Sequence, residues 1–301
     1  MNLKRPISVV ITDLDNTLFD WVADWHRSFA PLLKSLVKLS SIPQVKLEAE
    51  IRSIHQKYGT SEYAFLLEEL PSLRARHSGA SKLDGAYDPA IDAYRAAREQ
   101  VSDLYPTVAE SLRVMKRQGA VVVSYTESLA FYTDYRIHSL GLDGLLDYVY
   151  SPPDHDLPIG LTPKTILKYY PKTPELRHTL HMHTAQGVTK PDQRIIEEIV
   201  HEVGGSIGAT VFVGDSLMKD MAMANEAGVF SALAEYGAAH QRSEYELLRR
   251  VSHWTDLEVS KEREILENPP IQVEPTVRLK RRFGELLEHF EFAPGRATER
   301  R

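Results

Sequence analysis

Two pairs of carboxylates stand where buried strands are predicted to end. Asp13 and Asp15 follow one short apolar, β-branched run, and Asp215 and Asp220 follow another much later in the chain. In a doubly wound parallel sheet, ligands bind at the carboxyl ends of the strands, so we expect the four carboxylates to converge. Oxygen ligands of this kind suit one Mg²⁺, and they also suit a nucleophile with a neighbouring acid–base group.

Each acidic segment taken alone has a plainer interpretation. An isolated Asp-x-Asp pair is more often a solvated acidic turn than a site. Asp215 or Ser216 would serve equally well to cap the helix that follows. Capping explains one acidic residue at one strand end, but it does not explain two acidic strand ends in a single chain.

A lysine and a hydroxyl are the candidates for binding an anion at such a negatively charged site. Lys190 lies in the segment TKPD, where Pro and Asp favour the start of a helix. Thr126 follows a predicted strand and offers a hydroxyl, for which Ser124 competes. The alternatives are a surface lysine and side chains that merely close the strand.

Composition narrows the class of protein. The 301 residues are 43% hydrophobic and 26% charged, as in an ordinary globular protein of about two domains. The absence of cysteine excludes a thiolate nucleophile and thiolate metal sites. A net charge of −6 gives no basic footprint for nucleic acid, and no apolar run approaches the ~20 residues that span a bilayer. We expect a cytoplasmic protein that binds neither nucleic acid nor membrane.

The pattern of elements predicts an α/β protein with a doubly wound parallel sheet. Predicted strands at 7–11, 120–123, 148–150 and 210–213 alternate with helices, which favours parallel pairing through crossovers. Helical periodicity without a convincing strand fills residues 21–103, so we predict an inserted all-helical domain there.

The predicted core comprises residues 1–20 and 104–260, with two segments that do not fit a simple alternation. Residues 152–187 are rich in proline and predict a loop-rich insertion with one short helix. Residues 261–301 predict a C-terminal extension with a proline-broken linker and an amphipathic helix. The apolar face of that helix would carry Leu279, Phe283, Leu286, Leu287 and Phe290.

Four segments in order resemble the signature motifs of the haloacid dehalogenase (HAD) superfamily. They are DLDNT at 13–17, a strand-end Thr126, TKPD at 189–192 and GDSLMKD at 214–220. Counting seven residues from Gly119, as the family pattern does, selects Thr126 over Ser124. The resemblance implies a Rossmann-like HAD core and identifies residues 21–103 as a helical C1 cap.

The same resemblance implies a role for each motif residue. Asp13 would be the nucleophile and Asp15 the general acid–base. Mg²⁺ would be held by the Asp13 carboxylate, the Asp15 carbonyl, Asp215 and Asp220, the last directly or through water. Thr126 and Lys190 would hold phosphate oxygens, and Lys190 would also neutralise Asp13.

Glu127 departs from the family pattern, which usually has Asn at this position in phosphatases. A carboxylate directed into the pocket would repel phosphate. We therefore expect the Glu127 side chain to point away and its backbone N–H to bind the anion.

The acid at position 15 implies phosphate-ester chemistry, since dehalogenase members of the family lack an acid there. The expected function is a Mg²⁺-dependent phosphatase that hydrolyses a small phosphorylated metabolite through an aspartyl-phosphate. Two alternatives stay open: a phosphomutase with the same motifs, and a non-catalytic HAD-fold protein that binds a partner. The 152–187 insertion could line the entrance or mediate formation of a homo-oligomer.

Three further clusters have a functional and a plainer interpretation. Arg74, Arg76 and His77 are candidate substrate contacts on the cap, with a solvated charge cluster favoured. For three nearby histidines, a polar loop is favoured over a second metal site; these are His178, His181 and His183. For a basic run, a solvated helix face is favoured over binding of nucleic acid or an acidic partner; the run is Arg278, Lys280, Arg281 and Arg282.

Overall fold

A seven-stranded parallel sheet forms the centre of the computed structural model, which describes residues 5–77, 85–99, 102–157, 162, 175–185 and 187–295. The strands are β1 (Arg5–Ile7), β2 (Val9–Thr12), β3 (Val121–Tyr125), β4 (Tyr148–Ser151), β5 (Leu180–His183), β6 (Thr210–Gly214), β7 (Phe230–Ala234), β8 (Val277–Leu279) and β9 (Phe290–Phe292). The order across the sheet is β5-β4-β3-β2-β6-β7-β8, and β1 pairs with β9 in a separate parallel pair. The predicted α/β class with a parallel sheet is confirmed.

Strand β2 lies at the centre of the sheet because its side chains are apolar on both faces. Val10 is in register with Val122 of β3 and Val211 of β6, and these three side chains pack in the larger hydrophobic core. Val9 and Ile11 point to the other face and pack in a second core. A strand buried on both faces has a continuous apolar sequence, and this pattern predicted the strand.

Helices cover the sheet and fill the segment between β2 and β3. They are α1 (Trp21–Ser40), α2 (Gln44–Tyr58), α3 (Leu66–Glu69), α4 (Pro71–His77), α5 (Asp88–Arg98), α6 (Val108–Arg117), α7 (Ala130–Ser139), α8 (Arg194–Glu202), α9 (Ala222–Glu226), α10 (Tyr245–Val251), α11 (Asp256–Glu267) and α12 (Leu286–His289). Short 3-10 turns lie at Ile207–Ala209, Glu235–Gly237, Ala239–Gln241, Ile271–Val273 and Phe283–Glu285. The described residues between 21 and 99, hereafter the helical segment, contain α1 to α5 and no strand.

The helical segment leaves and re-enters the sheet domain at adjacent points. The Tyr105 N–H donates to the Leu18 carbonyl at 2.8 Å, and Phe19 forms an isolated bridge with Leu104. Asp20 caps α1 by accepting from the Ala23 N–H at 3.0 Å. This geometry places the start of α1 directly beside the loop that follows β2.

A second set of contacts ties α2 to the C-terminal part of the chain. Glu48 pairs with Arg250 at 2.9 Å, Arg52 pairs with Asp256 at 2.6 Å, and the buried His55 Nδ1 lies 2.6 Å from the Val251 carbonyl. The helical segment is therefore held on two sides, at its entry point and along α2.

The predicted C-terminal amphipathic helix is wrong. Leu279 lies in β8, Leu286 in the four-residue α12 and Phe290 in β9. These residues are spaced as in a helix but lie in separate short elements, because β7 and β1 each have an open edge with which β8 and β9 pair in parallel. Gly284, a poor helix former, lies in the middle of the run and donates its N–H to the Thr107 hydroxyl at 2.8 Å.

Several boundaries also differ from the prediction. Helix α11 runs through the expected boundary at 261, and the expected strand at 7–11 is divided at Ser8 into β1 and β2. Strands β5 and β7 were not predicted. The expected short helix of the 152–187 insertion falls mainly on 158–161 and 163–174, which lie outside the described residues. Among the helices described, none has the length and apolar character needed to cross a bilayer.

Candidate active site

Three carboxylates meet at the carboxyl ends of two neighbouring strands, β2 and β6. Asp13 follows β2, Asp215 follows β6, and Asp220 lies in a π-helical turn at Leu217–Met221. One oxygen from each of the three lies within 4.8 Å of the others. We call Asp13, Asp215 and Asp220 the carboxylate cluster.

Gly214 allows Asp220 to fold back against the end of β6. A Cβ at position 214 would lie 2.3 Å from Asp220 Oδ2, so no other residue fits there without movement. The same oxygen accepts from the Ser216 N–H at 3.0 Å. The local fold of the GDS turn therefore fixes where the Asp220 carboxylate lies.

Lys190 is the cation that faces the carboxylate cluster. Its Nζ lies 2.5 Å from Asp13 Oδ1 and 2.8 Å from Asp220 Oδ1, and its side chain is 4% exposed. Burial alone would lower the lysine pKa, but the attraction of Asp13 and Asp220 outweighs it and raises the pKa well above its usual range. Lys190 therefore stays protonated and offsets only part of the charge of three carboxylates.

The negative charge that Lys190 does not offset helps to raise the pKa values of two carboxyls in the cluster. Burial, together with repulsion from Asp220 and Asp15, raises the pKa of Asp13 to about 7 despite the attraction of Lys190. Loss of surrounding water and repulsion from Asp220 and Asp13 raise the pKa of Asp215 well above its usual range. A divalent cation would relieve this repulsion, and carboxylate oxygens are the donors that Mg²⁺ prefers. The cluster therefore fits Mg²⁺.

Asp15 lies beside the cluster but has partners of its own. Its Oδ2 accepts from the Ser128 hydroxyl at 2.7 Å, and its Oδ1 lies 3.2 Å from Arg136 Nη1. Burial raises the pKa of Asp15, and Arg136 opposes that shift. The resemblance assigned its backbone carbonyl, not its carboxylate, to the metal, so its carboxylate is available for proton transfer.

Sequence reasoning missed the residues around Asp15. Arg136 of α7 also binds Glu62, which lies in the helical segment, in a very close ion pair. The Glu62 carboxylate further accepts from the Trp21 indole N–H at 3.0 Å. An arginine in a helix and a glutamate 74 residues earlier carry no local signal that would join them to an active site. We call Asp15, Ser128, Arg136 and Glu62 the junction network.

Thr126 and Glu127 lie at the end of β3, near Lys190. The Thr126 hydroxyl accepts from the Ser128 N–H at 3.1 Å. The Glu127 carboxylate accepts from the Lys190 backbone N–H at 3.0 Å and from Lys219 Nζ at 2.6 Å. Burial raises the Glu127 pKa, but the two lysines outweigh it and the net shift is downward. Glu127 is thus ionised and neutralised, which removes the repulsion expected for a free carboxylate.

The candidate contacts on the helical segment lie on α4. Arg74 and Arg76 are exposed there, whereas the side chain of His77 lies outside the described residues. The member of the helical segment that reaches the partners of Asp15 is Glu62 instead.

Two of the three histidines, His181 and His183, lie in β5 and not on the expected polar loop, whereas His178 precedes the strand. His181 of β5 has Asp134 Oδ1 2.7 Å from its Nδ1 and Ser151 Oγ 2.7 Å from its Nε2. Both ring nitrogens are occupied, which leaves neither for a metal. The order matches a Ser-His-Asp triad, but Ser151 has no exposed surface and cannot meet a substrate in this arrangement.

The three arginines of the basic run form ion pairs within the chain. Arg278 pairs with Glu235 at 2.8 Å, and two further pairs follow the same pattern. They are Arg281 with Glu285 and Arg282 with Glu288. These partners occupy the guanidinium groups, in keeping with a structural role.

Of three similar solved structures, the first supports the fold. A 2-haloacid dehalogenase from Pseudomonas syringae pv. tomato has a TM-score of 0.55 and 18% identity, covering 94% of this chain and 97% of that chain. A predicted phosphoglycolate phosphatase from Haemophilus somnus has a TM-score of 0.48 and 15% identity, covering 94% and 97%. A HAD-hydrolase from Bacillus subtilis bound to magnesium has a TM-score of 0.47 and 14% identity, covering 95% and 97%.

The comparison with curated proteins found no match. The model of the haloacid dehalogenase-like hydrolase family matches residues 7–228, which include β2, the carboxylate cluster, Lys190 and the junction network. Since this match spans most of the chain and contains the whole candidate site, the protein belongs to the haloacid dehalogenase-like hydrolases.

Proposed function

We propose that this protein is a Mg²⁺-dependent phosphatase that hydrolyses a small phosphorylated metabolite through an aspartyl-phosphate. One observation carries the proposal: two buried carboxylates follow β2, and each has a different environment. Asp13 faces Lys190 and the carboxylate cluster, whereas Asp15 faces Ser128 and Arg136. Two carboxylates in different surroundings suit two different roles, nucleophile and acid–base.

The reaction follows from these positions. An Asp13 carboxylate oxygen attacks phosphorus while the bond to the ester oxygen breaks, and Asp15 gives its proton to the departing alkoxide. Water then attacks the phosphorus of the aspartyl-phosphate, Asp15 takes a proton from that water, and the Asp13 carboxylate is released with inorganic phosphate. Lys190 and Thr126, with the Glu127 N–H, are the groups proposed to hold the phosphoryl oxygens.

Asp13, Asp215 and Asp220, with the carbonyl of Asp15, are the proposed ligands of Mg²⁺. The bound ion would neutralise charge on the phosphoryl oxygens and let a dianion approach three carboxylates. The raised pKa values of Asp13 and Asp215 support this assignment, since both indicate a cluster that lacks positive charge.

Asp15 favours phosphate esters over haloacids as substrates. Halide leaves as a stable anion and needs no proton, whereas an alkoxide is a poor leaving group without one. A carboxylate held by two donors beside the nucleophile would have no task in dehalogenation.

The helical segment is the proposed cap over the site. A cavity of about 150 Å³ lies between this segment and the sheet domain, lined by Trp21, Glu62, Tyr135 and Arg136 among others. Arg136 also contacts Asp15, so the cavity lies next to the proposed acid. This position suits the organic part of a small phosphate ester, and a closed cap would exclude bulk water.

The experiment is a pair of release assays on the same preparation. Phosphate release is measured from 4-nitrophenyl phosphate and chloride release from 2-chloropropionate, each with Mg²⁺ and with EDTA. We expect phosphate release that requires Mg²⁺ and no chloride release. Chloride release without phosphate release would show a dehalogenase.

Two further outcomes distinguish the alternatives. Transfer of the phosphoryl group to a second hydroxyl of a sugar phosphate, seen by product analysis, would show a phosphomutase. No reaction on any phosphate ester, with a partner that co-purifies in fixed ratio, would favour a binding protein.

A further inference from the structure

Arg136 is placed to fix the orientation of the Asp15 carboxylate. It lies on α7 with a side chain that is 5% exposed, and its guanidinium contacts groups from three parts of the chain. These are Asp15 after β2, Ser128 before α7, and Glu62 in the helical segment. A planar guanidinium with several donors can hold such a set in one geometry, which a flexible ammonium cannot do.

The hydroxyl of Ser128 accepts one hydrogen bond and donates another, which fixes the direction of hydrogen bonding from Arg136 to Asp15. Arg136 Nη1 donates to the Ser128 hydroxyl at 2.6 Å, so the single proton of that hydroxyl is free to be donated to Asp15 Oδ2 at 2.7 Å. The other carboxylate oxygen, Oδ1, lies 3.2 Å from the same Nη1. Oδ2 is therefore held by a hydrogen bond from the side of α7, whereas Oδ1 is held by the ion pair with Arg136 alone.

Glu62 in turn holds Arg136. The two side chains form a very close ion pair, and Glu62 is 8% exposed, so neither charge is satisfied by bulk water. Without Arg136, Asp15 and Glu62 would face each other as two buried carboxylates. The helical segment is thus joined through Arg136 to Asp15, two positions after the proposed nucleophile.

We propose that Arg136, held by Glu62, is a positioning residue that orients the Asp15 carboxyl toward the leaving-group oxygen. This inference rests on the proposed phosphatase function and adds to it the means by which the helical segment acts on proton transfer. Misplacement of a catalytic group by about 1 Å can cost on the order of 10²-fold in rate. In the formation of the aspartyl-phosphate, the effect should therefore appear only where the leaving group needs a proton.

The test compares two esters of similar size with different leaving groups. 4-Nitrophenyl phosphate releases a stabilised phenolate that departs without protonation, whereas benzyl phosphate releases a basic alkoxide. Because kcat/KM reports only the steps up to formation of the aspartyl-phosphate, it excludes the later hydrolysis, in which Asp15 acts as base for both esters. For Arg136→Gln we expect kcat/KM on benzyl phosphate to fall on the order of 10²-fold and kcat/KM on 4-nitrophenyl phosphate to fall by less than about threefold. In an Asp15→Asn background, the same substitution should have no further effect on benzyl phosphate.

Arg242→Gln is the matched control. Arg242 is another arginine at the junction: it binds Asp20, which caps α1, and the Tyr105 hydroxyl, without contacting Asp15. We expect this variant to leave the ratio of the two rates unchanged. If Arg136→Gln does not fold, Glu62→Gln takes its place, since it keeps the shape of the side chain and removes the charge that holds Arg136; the same selective loss is expected.

The two assays distinguish failure of the positioning role from failure of the proposed phosphatase function. Equal losses of kcat/KM on both esters would overturn the positioning role while leaving the phosphatase function intact. A wild-type protein that releases phosphate from neither ester in the presence of Mg²⁺ would overturn the proposed function and this inference with it.

Discussion

The carboxylate cluster and the junction network lie side by side, yet their charges are balanced differently. Among the residues that the structure describes, the cation paired with the carboxylate cluster is Lys190, which contacts Asp13 and Asp220. In the junction network, Asp15 and Glu62 face Arg136, and a second guanidinium, that of Arg98, lies 3.7 Å from Glu62. The first region thus has three carboxylates for one cation, whereas the second, with Arg98 included, has two of each.

The difference in charge balance distinguishes a region that can bind an ion from a region that holds side chains in place. Buried charges that lack partners cost free energy, and a protein keeps them where an ion or a substrate supplies the missing charge. Buried charges that are balanced by partners of the chain are held in one geometry. We therefore expect substitutions in the carboxylate cluster to change metal binding as well as chemistry, and substitutions in the junction network to change proton transfer by Asp15 without loss of the metal.

The largest expected effect is at Asp13. Asp13→Asn removes the nucleophile, and we expect kcat for 4-nitrophenyl phosphate to fall by at least ~10³-fold while the circular dichroism spectrum is unchanged. Asp192→Asn is the matched control, because Asp192 lies in the same TKPD segment as Lys190 but pairs with Arg194 at the surface. A variant at position 13 that releases phosphate at the wild-type rate would exclude Asp13 as nucleophile.

The next effect is at Asp15, which tests the boundary between the two regions. Asp15→Asn keeps the shape and removes the proton donor, so we expect a loss of at least ~10²-fold on benzyl phosphate. The loss of kcat/KM on 4-nitrophenyl phosphate should be smaller, because its leaving group needs no proton and kcat/KM does not include the later hydrolysis of the aspartyl-phosphate. Metal binding should persist, since the carboxylate of Asp15 is bound to Ser128 and Arg136. Full activity on benzyl phosphate would remove Asp15 from the mechanism.

Mg²⁺ alone should stabilise the carboxylate cluster. At a Mg²⁺ concentration of about 100 times Kd, we expect about 2.7 kcal/mol of added stability and a rise in Tm of roughly 5–10 °C. Asp215→Asn removes one proposed ligand and should abolish most of this rise, which differential scanning fluorimetry would show. Asp192→Asn should retain it. Equal rises in all three proteins would mean that the ion binds elsewhere.

The smallest effect is a dependence of stability on pH in EDTA. Because the pKa of Asp215 is raised in the folded protein, the unfolded chain loses this proton near its usual pKa of ~3.9 while the folded protein keeps it to higher pH. Stability is thus lost as pH rises, and Asn at 215 escapes that loss. We expect Asp215→Asn to melt about 2–4 °C above wild type at pH 8, with the gap closing as pH falls toward 4.

Asp143 provides a control of opposite sign. It accepts three backbone N–H groups, of Arg177, His178 and Thr179, and these outweigh partial burial to lower its pKa. Its contribution to stability is present above the usual pKa and is lost as pH falls. Asp143→Asn should therefore melt below wild type at pH 8, and that gap should also narrow on acidification. A higher Tm for both variants would contradict the assignment of the shifts.

Much of the sheet and the acidic residues of the site could be predicted from the sequence. Val9–Thr12 and Thr210–Gly214 are short, apolar and β-branched, and each is followed by a carboxylate, so periodicity and position were sufficient. The C-terminal region could not be predicted in this way. The spacing of Leu279, Leu286 and Phe290 suits a helix, but open strand edges elsewhere in the fold bind these residues as strands and turns.

The sequence by itself determined which groups can do chemistry and at which strand ends they stand, because strand pattern and residue type are local properties. Of the charge pairs at the site, the family resemblance implied only that of Lys190 with Asp13. The tertiary structure added Asp220 as the second partner of Lys190 and paired Lys219 with Glu127 and Arg136 with Asp15 and Glu62. The physical reason is that Coulomb interaction and desolvation depend on distance and burial, and packing between remote segments sets both.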